Sequence, residues 1–217
     1  MHKNKKTKSY KEIVKIPRNI KKDLPKSFDI IGDIILIKLR EDIIKYKKQI
    51  AKALLKNHKN VITVCLIHPV SGEHRTRKIE IIGGERHTKT IHKEYGLKFA
   101  VDIKKAYFST RLANERRRIT DQVKKNEIVV DMFTGVAPFP IMIAKYAKPK
   151  IIFAFDKNKY AIKYAKENIK INNVLDKVEA ICIDALNIPK YLNEKNISTK
   201  RPFNKDRVIN IHNKVLP

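Results

Sequence analysis

Apolar and polar residues follow one pattern in the first half of the chain and another in the second. FDIIGDIILIKL (28–39) holds two apolar runs around Gly32-Asp33, which predicts a strand pair joined by a turn. Over 41–58, Ile44, Ile50, Ala51, Leu54 and Leu55 recur at helical spacing and predict an amphipathic helix. VITVCLIH (61–68) reads as a buried strand, PVSGEHRTR (69–77) as a loop, and KIEII (78–82) as a strand closed by Gly83-Gly84. Residues 88–103 read as a hairpin turning at Gly96, and 110–123 as an Arg-rich helix. Strand and helix then alternate: strand 128–133, helix 138–147, strand 151–155, helix 158–171, strand 178–183. That order is the βαβαβ signature of a doubly wound, Rossmann-like parallel sheet. The expected fold class is α/β. A basic arm spans 1–26, an α+β domain with its linking helix spans 27–118, and the parallel-sheet domain spans 119–217, with the boundary near 118–125.

Composition adds a partner. Of the 217 residues 42% are hydrophobic, enough to bury real cores, yet the formal net charge is +27. Residues 1–26 alone carry ten Lys/Arg against two Asp/Glu, and such an arm is expected to be partly disordered. Lys and Arg release counterions from phosphates, so this balance points to a nucleic acid. Compositional bias toward Lys, Ile and Asn is the competing reading. Cys65 and Cys182 both sit in apolar runs and read as buried strand residues with no redox or metal spacing. The seven His show no ligand spacing, since His87 and His92 are five apart, so no metal site is expected. No run of 18 apolar residues and no signal-peptide pattern is present, which predicts a soluble cytoplasmic protein.

The candidate chemistry lies where the parallel strands end. IVVD delivers Asp131 to the carboxyl edge, where open α/β sheets bind ligands. The turn MFTGVAPF offers Gly135 for close approach and positive φ. A dinucleotide loop needs several glycines around a pyrophosphate. Here Ala137 and Pro138 follow, and Pro138 lacks the donor that a phosphate wants. The loop suits a ligand without phosphate, such as the amino-acid end of S-adenosylmethionine. Asp156, 25 residues after Asp131, ends the second strand and is placed for ribose hydroxyls; Asp184 ends the third, placed for an adenine amine. Each Asp taken singly also reads as a helix N-cap.

SFDIIGDI, SGEHRTRKIEIIGGERHTKTIHKEYG, YFSTRLANERRRI and VVDMFTGVAPFPI together resemble the archaeal and eukaryotic tRNA (guanine-37 N1) methyltransferases. The related wybutosine-pathway aminocarboxypropyl transferases are similar but less close. The resemblance covers roughly 25–210 and implies a class I S-adenosylmethionine methyltransferase domain behind an RNA-binding domain. Guanine N1 must lose its proton while charge develops on O6, so a carboxylate base and a cationic donor are needed. The resemblance puts the base on Glu115 and the O6 donor on Arg75. It implies cofactor contacts from Arg116, Asp131, Phe133, Gly135, Val136, Pro138, Phe139, Asp156, Lys157, Asp184 and Ala185, with tRNA as partner. The residues themselves leave alternatives open. Glu115 ahead of three Arg also reads as a surface ion pair. Arg75 also reads as a phosphate contact, Arg117 and Arg118 as backbone contacts or solvated charge, and Tyr107 and Phe108 as base-stacking or core residues.

The chain departs from the family at Thr110, Asn114 and Ala137, where the typical strings are FSPRLATER and GVGPF. The family continues after DRVIM into an Asn-Leu-Pro loop. Here KDRVINIHNKVLP stands, with Asn210 or KVLP as the nearest counterparts. From Asp131 only 87 residues remain, enough for three strands and the start of a fourth. Two expectations follow: a product completed by a separate C-terminal polypeptide, or a degenerate frame. In either, the chain alone is expected to bind S-adenosylmethionine weakly and to methylate tRNA poorly.

Overall fold

The computed structural model describes residues 9–71, 76–197 and 208–210, with backbone only at 69–71, 76–77 and 208–210. Two compact units divide between Thr90 and Ile91.

In the first unit a hairpin of β1 (Asp29–Ile31) and β2 (Ile34–Ile37) turns at Gly32-Asp33 as expected. Strand β2 pairs in parallel with β3 (Thr63–Ser71), which pairs antiparallel with β4 (Thr76–Gly84). The strands therefore run deeper into 69–77 than the predicted loop allowed. The crossover from β2 to β3 carries two helices, α3 (Glu41–Ile44) and α4 (Lys47–Asn57), where one was expected. Ile43, Ile50, Ala51 and Leu54 bury their apolar stripe against Ile35, Ile37, Val64 and Leu66. Gly83 marks how closely α4 approaches: a Cβ there would lie 2.6 Å from that of Ala51.

The basic arm needs correction. Its described part folds into two short helices, α1 (Tyr10–Ile13) and α2 (Arg18–Lys21). Tyr10, Val14 and Leu24 are buried in the same core, and the Tyr10 hydroxyl donates to the Pro25 carbonyl at 2.5 Å. Burial of these apolar groups outweighs solvation of the surrounding lysines, whose long stems leave their charges in water.

The second unit opens with the hairpin β5 (Lys89–Glu94) and β6 (Leu97–Asp102), then a 3-10 turn and helix α5 (Ala113–Thr120). The alternating region follows the predicted order through β7 (Ile128–Asp131), α6 (Pro138–Tyr146), β8 (Ile151–Asp156), α7 (Lys159–Ile171) and β9 (Val178–Cys182), and goes on with a helix not foreseen, α8 (Ile188–Glu194), and a fourth strand, β10 (Val208–Asn210). All pairings are parallel, in the order β10-β7-β8-β9. Both faces of this sheet are covered, which explains its near-continuous apolar strands. Ile128, Val130, Phe153 and Phe155 meet Ile188 and Leu192 of α8 on one face. By the two-residue alternation of strands, Val129, Ile152 and Ala154 face the other way.

The expected boundary at 118–125 is displaced to residue 90 for a physical reason. Asn168 of α7 and Asn172 at its C-cap bond the free edge of β6. Asn168 Oδ1 accepts from Ala100 N–H at 2.7 Å, and its Nδ2 donates to the Ala100 and Val136 carbonyls at 3.0 and 3.1 Å. Asn172 treats Lys98 likewise, at 3.0 and 2.7 Å. The hairpin is thereby part of the parallel-sheet unit. Cys65 is buried, which pushes its thiol up to about 12. Cys182 is exposed, against expectation, because it ends its strand at the sheet edge.

Asn168 is fully buried, so Asn168→Ala strands three backbone groups with no route to water. We expect a loss of about 3 kcal/mol or more in unfolding free energy. Asn172→Ala should cost clearly less, since the bonds to Lys98 are only partly buried. Urea unfolding of both variants checks the difference, and equal losses would contradict this reading.

Candidate functional site

The parallel strands bring three aspartates to one edge. Asp131 is buried at the end of β7, and its Oδ1 accepts from Phe133 N–H at 3.3 Å. Asp156 ends β8. Its Oδ2 accepts from Gly135 N–H at 2.8 Å and its Oδ1 from Asn158 N–H at 2.9 Å. Asp184 follows β9 and accepts from Leu186 N–H at 3.0 Å, capping a 3-10 turn at Ala185–Asn187. The capping alternative is realised only at Asp184, since Asn158 caps α7 and the backbone of Ala137 precedes α6. Capping does not exhaust Asp184, because a carboxylate offers about four lone-pair sites. Asp156 instead ties the Gly135 loop to the residues ahead of α7.

The loop from Phe133 to Ile141 spends its backbone donors internally. Phe133 and Gly135 donate to aspartates, Thr134 to the Phe155 carbonyl, Ala137 to Thr134 and Ile141 to Ala137. Pro138 and Pro140 have no N–H to give. Val136 and Phe139 are left as the backbone donors that a ligand can engage. A helix N-terminus attracts phosphate through several converging N–H groups, and this one lacks them. The Thr134 hydroxyl is buried in the same loop and has no hydrogen-bond partner among the described residues.

Gly135 adopts φ +57, and a Cβ there would meet only the Tyr107 carbonyl at 3.6 Å. Its freedom of φ, more than clearance, explains the glycine. Ala137 is also left-handed, at φ 63 and ψ 39, and fully buried ahead of Pro138. Among the other expected contacts, Val136 is buried and its carbonyl is held by Asn168. Pro138, Phe139 and Ala185 are half-buried and Lys157 is exposed. Phe133 and Leu186 stand 59% and 88% exposed beside Asp131 and Asp184, which gives the edge apolar surface as well as acceptors.

Helix α5 carries the candidate base. Glu115 holds Arg118 through both oxygens, at 2.6 and 2.7 Å. The Arg118 hydrogen bonds keep its carboxyl below the usual carboxylate range, ahead of a small opposing effect of burial. The surface-pair alternative therefore describes Glu115 in this state. Arg116 behaves differently from expectation. It is 1% exposed and grips Glu94 of β5 through Nε and Nη2, each at 2.6 Å. Nη1 and Nη2 both donate to the Ser109 carbonyl at 3.2 Å. Its donors are committed inside the protein. Phe108 is buried against it, 5.3 Å away, while Tyr107 is half exposed, so the two aromatics divide between the alternatives. Neither Glu94 nor Asn168 was singled out from the sequence: each acts through a partner more than twenty residues away. Arg75 lies outside the described residues. Asn210 pairs with Val130 at the end of β10. Among the described residues no three His, Cys, Asp or Glu form a group able to hold a metal, and no helix is long and apolar enough to cross a membrane.

Residues 90–210 match the TRM5/TYW2 methyltransferase domain, and residues 10–88 match the TYW2 N-terminal domain. The chain belongs to the TRM5/TYW2 methyltransferase family. It is 43% identical over 198 residues to the tRNA (guanine(37)-N(1))-methyltransferase Trm5b of Pyrococcus abyssi, covering 86% of this chain and 59% of that protein. The crystal structure of that Trm5b superposes with a TM-score of 0.76 at 41% identity, over 83% of this chain and 54% of that one. The complex of aTrm5 with tRNALeu gives 0.75 at 37% identity, over 85% and 57%. Methanocaldococcus jannaschii Trm5 in complex with adenosine gives 0.66 at 35% identity, over 84% and 54%. The α/β fold with its Rossmann-like unit is therefore that of the family. The chain spans somewhat over half the length of the relatives it matches.

A left-handed alanine costs roughly 1–2 kcal/mol of strain, which glycine relieves at some expense in unfolded-chain entropy. Ala137→Gly should raise the unfolding free energy by about 0.5–1 kcal/mol net. Thermal and urea unfolding check this, and a lower stability would show that packing of the Ala137 methyl outweighs the strain.

Proposed function

We propose that this chain carries the cofactor-binding and base-handling parts of a tRNA methyltransferase that acts on N1 of guanosine 37. The methyl donor is S-adenosylmethionine, which when bound supplies an electrophilic methyl group. The observation that carries this reading is the loop at 133–141, poor in free donors, beside three strand-terminal carboxylates. Acceptors for ribose hydroxyls and an adenine amine are present, and a cradle for phosphate is not. Asp156 is suited to the ribose, Asp184 to the adenine, and Asp131 with the Val136 and Phe139 N–H groups to the amino-acid end. Gly135, Pro138, Lys157 and Ala185 shape the walls, and Phe133 and Leu186 offer apolar contact. The adenosine complex of the Methanocaldococcus relative supports the same class of ligand.

Glu115 is the group proposed to take the N1 proton, and Arg75 the donor to O6. The 27 excess positive charges favour an RNA partner, which the tRNA complex of a relative also supports. Glu115 must release Arg118 to reach a base, and RNA phosphates are natural competitors for that guanidinium. A cytoplasmic, tRNA-processing role fits this reading. The match of residues 10–88 to the TYW2 N-terminal domain favours a second reading: aminocarboxypropyl or methyl transfer to a wybutosine-type precursor from the same cofactor.

Calorimetric titration with S-adenosylmethionine and single-turnover methylation of a tRNA transcript test the proposal. Asp156→Ala should weaken cofactor binding at least tenfold, since charge-assisted bonds contribute about 1.5–3 kcal/mol. Glu115→Ala should leave binding intact and slow turnover by about a hundredfold. A parent chain that binds tRNA and no cofactor would leave a non-catalytic tRNA-binding module instead.

A pH profile tests the base itself. Glu115 works ionised, and Arg118 keeps it ionised to lower pH than an ordinary carboxylate. Arg118→Ala should therefore move the acidic limb of the kcat/KM profile, which reports the free protein, to higher pH. An unmoved limb would remove Glu115 from the role.

A further inference from the structure

The buried Glu94–Arg116 pair is outside the chemistry proposed above, yet it takes two charges out of water, which is costly. Glu94 and Arg116 side chains are 7% and 1% exposed. Burial alone would raise the Glu94 carboxyl, but hydrogen bonds from His92 and Arg116 outweigh it and hold the group below its ordinary range. Apolar residues of similar volume often stabilise a core as well as a buried ion pair does. What such residues could not supply is the second half of the guanidinium's work. Its two Nη atoms converge on the Ser109 carbonyl, and its face lies 5.3 and 5.9 Å from the Phe108 and Phe139 ring centroids. The extended segment Tyr107–Ser109 is thereby held by Arg116 at its Ser109 end. At its other end the Tyr107 carbonyl lies 3.6 Å from where a Cβ on Gly135 of the candidate cofactor loop would stand. Tyr107 itself presents a ring that is 47% exposed.

We propose that Glu94 is a positioning residue: by orienting Arg116 it holds the Tyr107–Ser109 segment beside the Gly135 loop and so shapes a wall of the cofactor site. The inference rests on the proposed function for what the site holds, but the clamp itself is a property of the free chain. Arg116, placed beside Glu115 on α5, then serves the site from within the protein and not by touching the ligand. Ser109 is only half-buried, so releasing its carbonyl costs order more than stability.

The test uses Glu94→Leu/Arg116→Met, which removes both charges together, with Glu94→Gln as the milder variant. Three quantities are read: unfolding midpoint, the 19F resonance of Tyr107 in fluorotyrosine-labelled protein (assigned with Tyr107→Phe), and affinity for S-adenosylmethionine. The double variant should keep its midpoint within a few degrees. Its Tyr107 resonance should narrow toward the free-tyrosine position, and cofactor affinity should fall about tenfold, the scale of a displaced site wall. Glu94→Gln should show the same changes in smaller measure, and it decides the matter if the double variant does not fold. An unchanged Tyr107 resonance overturns the clamp. A shifted resonance with unchanged affinity overturns its role in the site. A parent that binds no cofactor overturns the proposed function together with that role, while the resonance still decides whether the clamp exists.

Discussion

The second unit depends on how the outer edge of β6 is satisfied. A strand edge presents N–H and C=O groups that must find partners if they are buried. Here the partner is a helix. Asn168 on α7 and Asn172 at its C-cap stand four residues apart, a rise of about 6 Å. Lys98 and Ala100 stand two apart on β6, a rise of about 6.6 Å. The two repeats nearly match, so each amide both accepts from and donates to one strand residue, as a neighbouring strand would. Asn168 has one donor left, and it goes to the Val136 carbonyl in the loop after β7. One side chain thus joins hairpin, helix and ligand loop. An apolar residue at 168 would fill the volume and leave all three backbone groups orphaned.

That constraint carries through to the loop. Its carbonyl at Val136 is held by Asn168 and its N–H at Gly135 by Asp156, so both ends of a left-handed turn are pinned. A pinned loop is pre-organised and gives up little entropy on binding. It also has few donors to offer. The shortage of glycine and the pair Pro138-Pro140 therefore act together: one limits close approach, the other removes donors. What remains suits a ligand recognised mainly by its own donors, with aspartates accepting them. The cation of a sulfonium cofactor is compatible with such an edge, where a pyrophosphate would meet carboxylates and few compensating amides.

Much of this was legible in the sequence because it is local. Strands β7, β8 and β9 are apolar runs ending in or just before an Asp, and each placement needed only period and polarity. The hairpin at Gly96 and the turn at Gly32 are local as well. Failures came where long-range pairing decides. The resemblance assigns Arg116 to the cofactor, because its partner Glu94 lies on another element that local pattern does not connect to it. The change of pattern puts the domain boundary at 118–125, whereas Asn168 in an amphipathic helix and Asn172 at its C-cap move it to residue 90. Charge count makes the arm at 1–26 partly disordered, but Tyr10, Val14 and Leu24 are enough apolar area to dock its described part. Average composition hides a sparse set of anchors.

Glu115 and Arg116 show how adjacency in sequence separates in function. They are neighbours on α5, one turned to solvent with Arg118, the other buried with Glu94. The proposed base must be movable and the proposed scaffold must not be. The exposed pair is worth little, because water screens both partners, so it yields readily to a competing phosphate or substrate. The buried pair is expensive to break, because either charge alone would be stranded. A single helical step of about 100° puts the labile and the fixed pair on different faces of the same helix. The helix can then hold its position through Arg116 while Glu115 changes partner, a division of labour that an exposed Arg-rich helix alone would not provide.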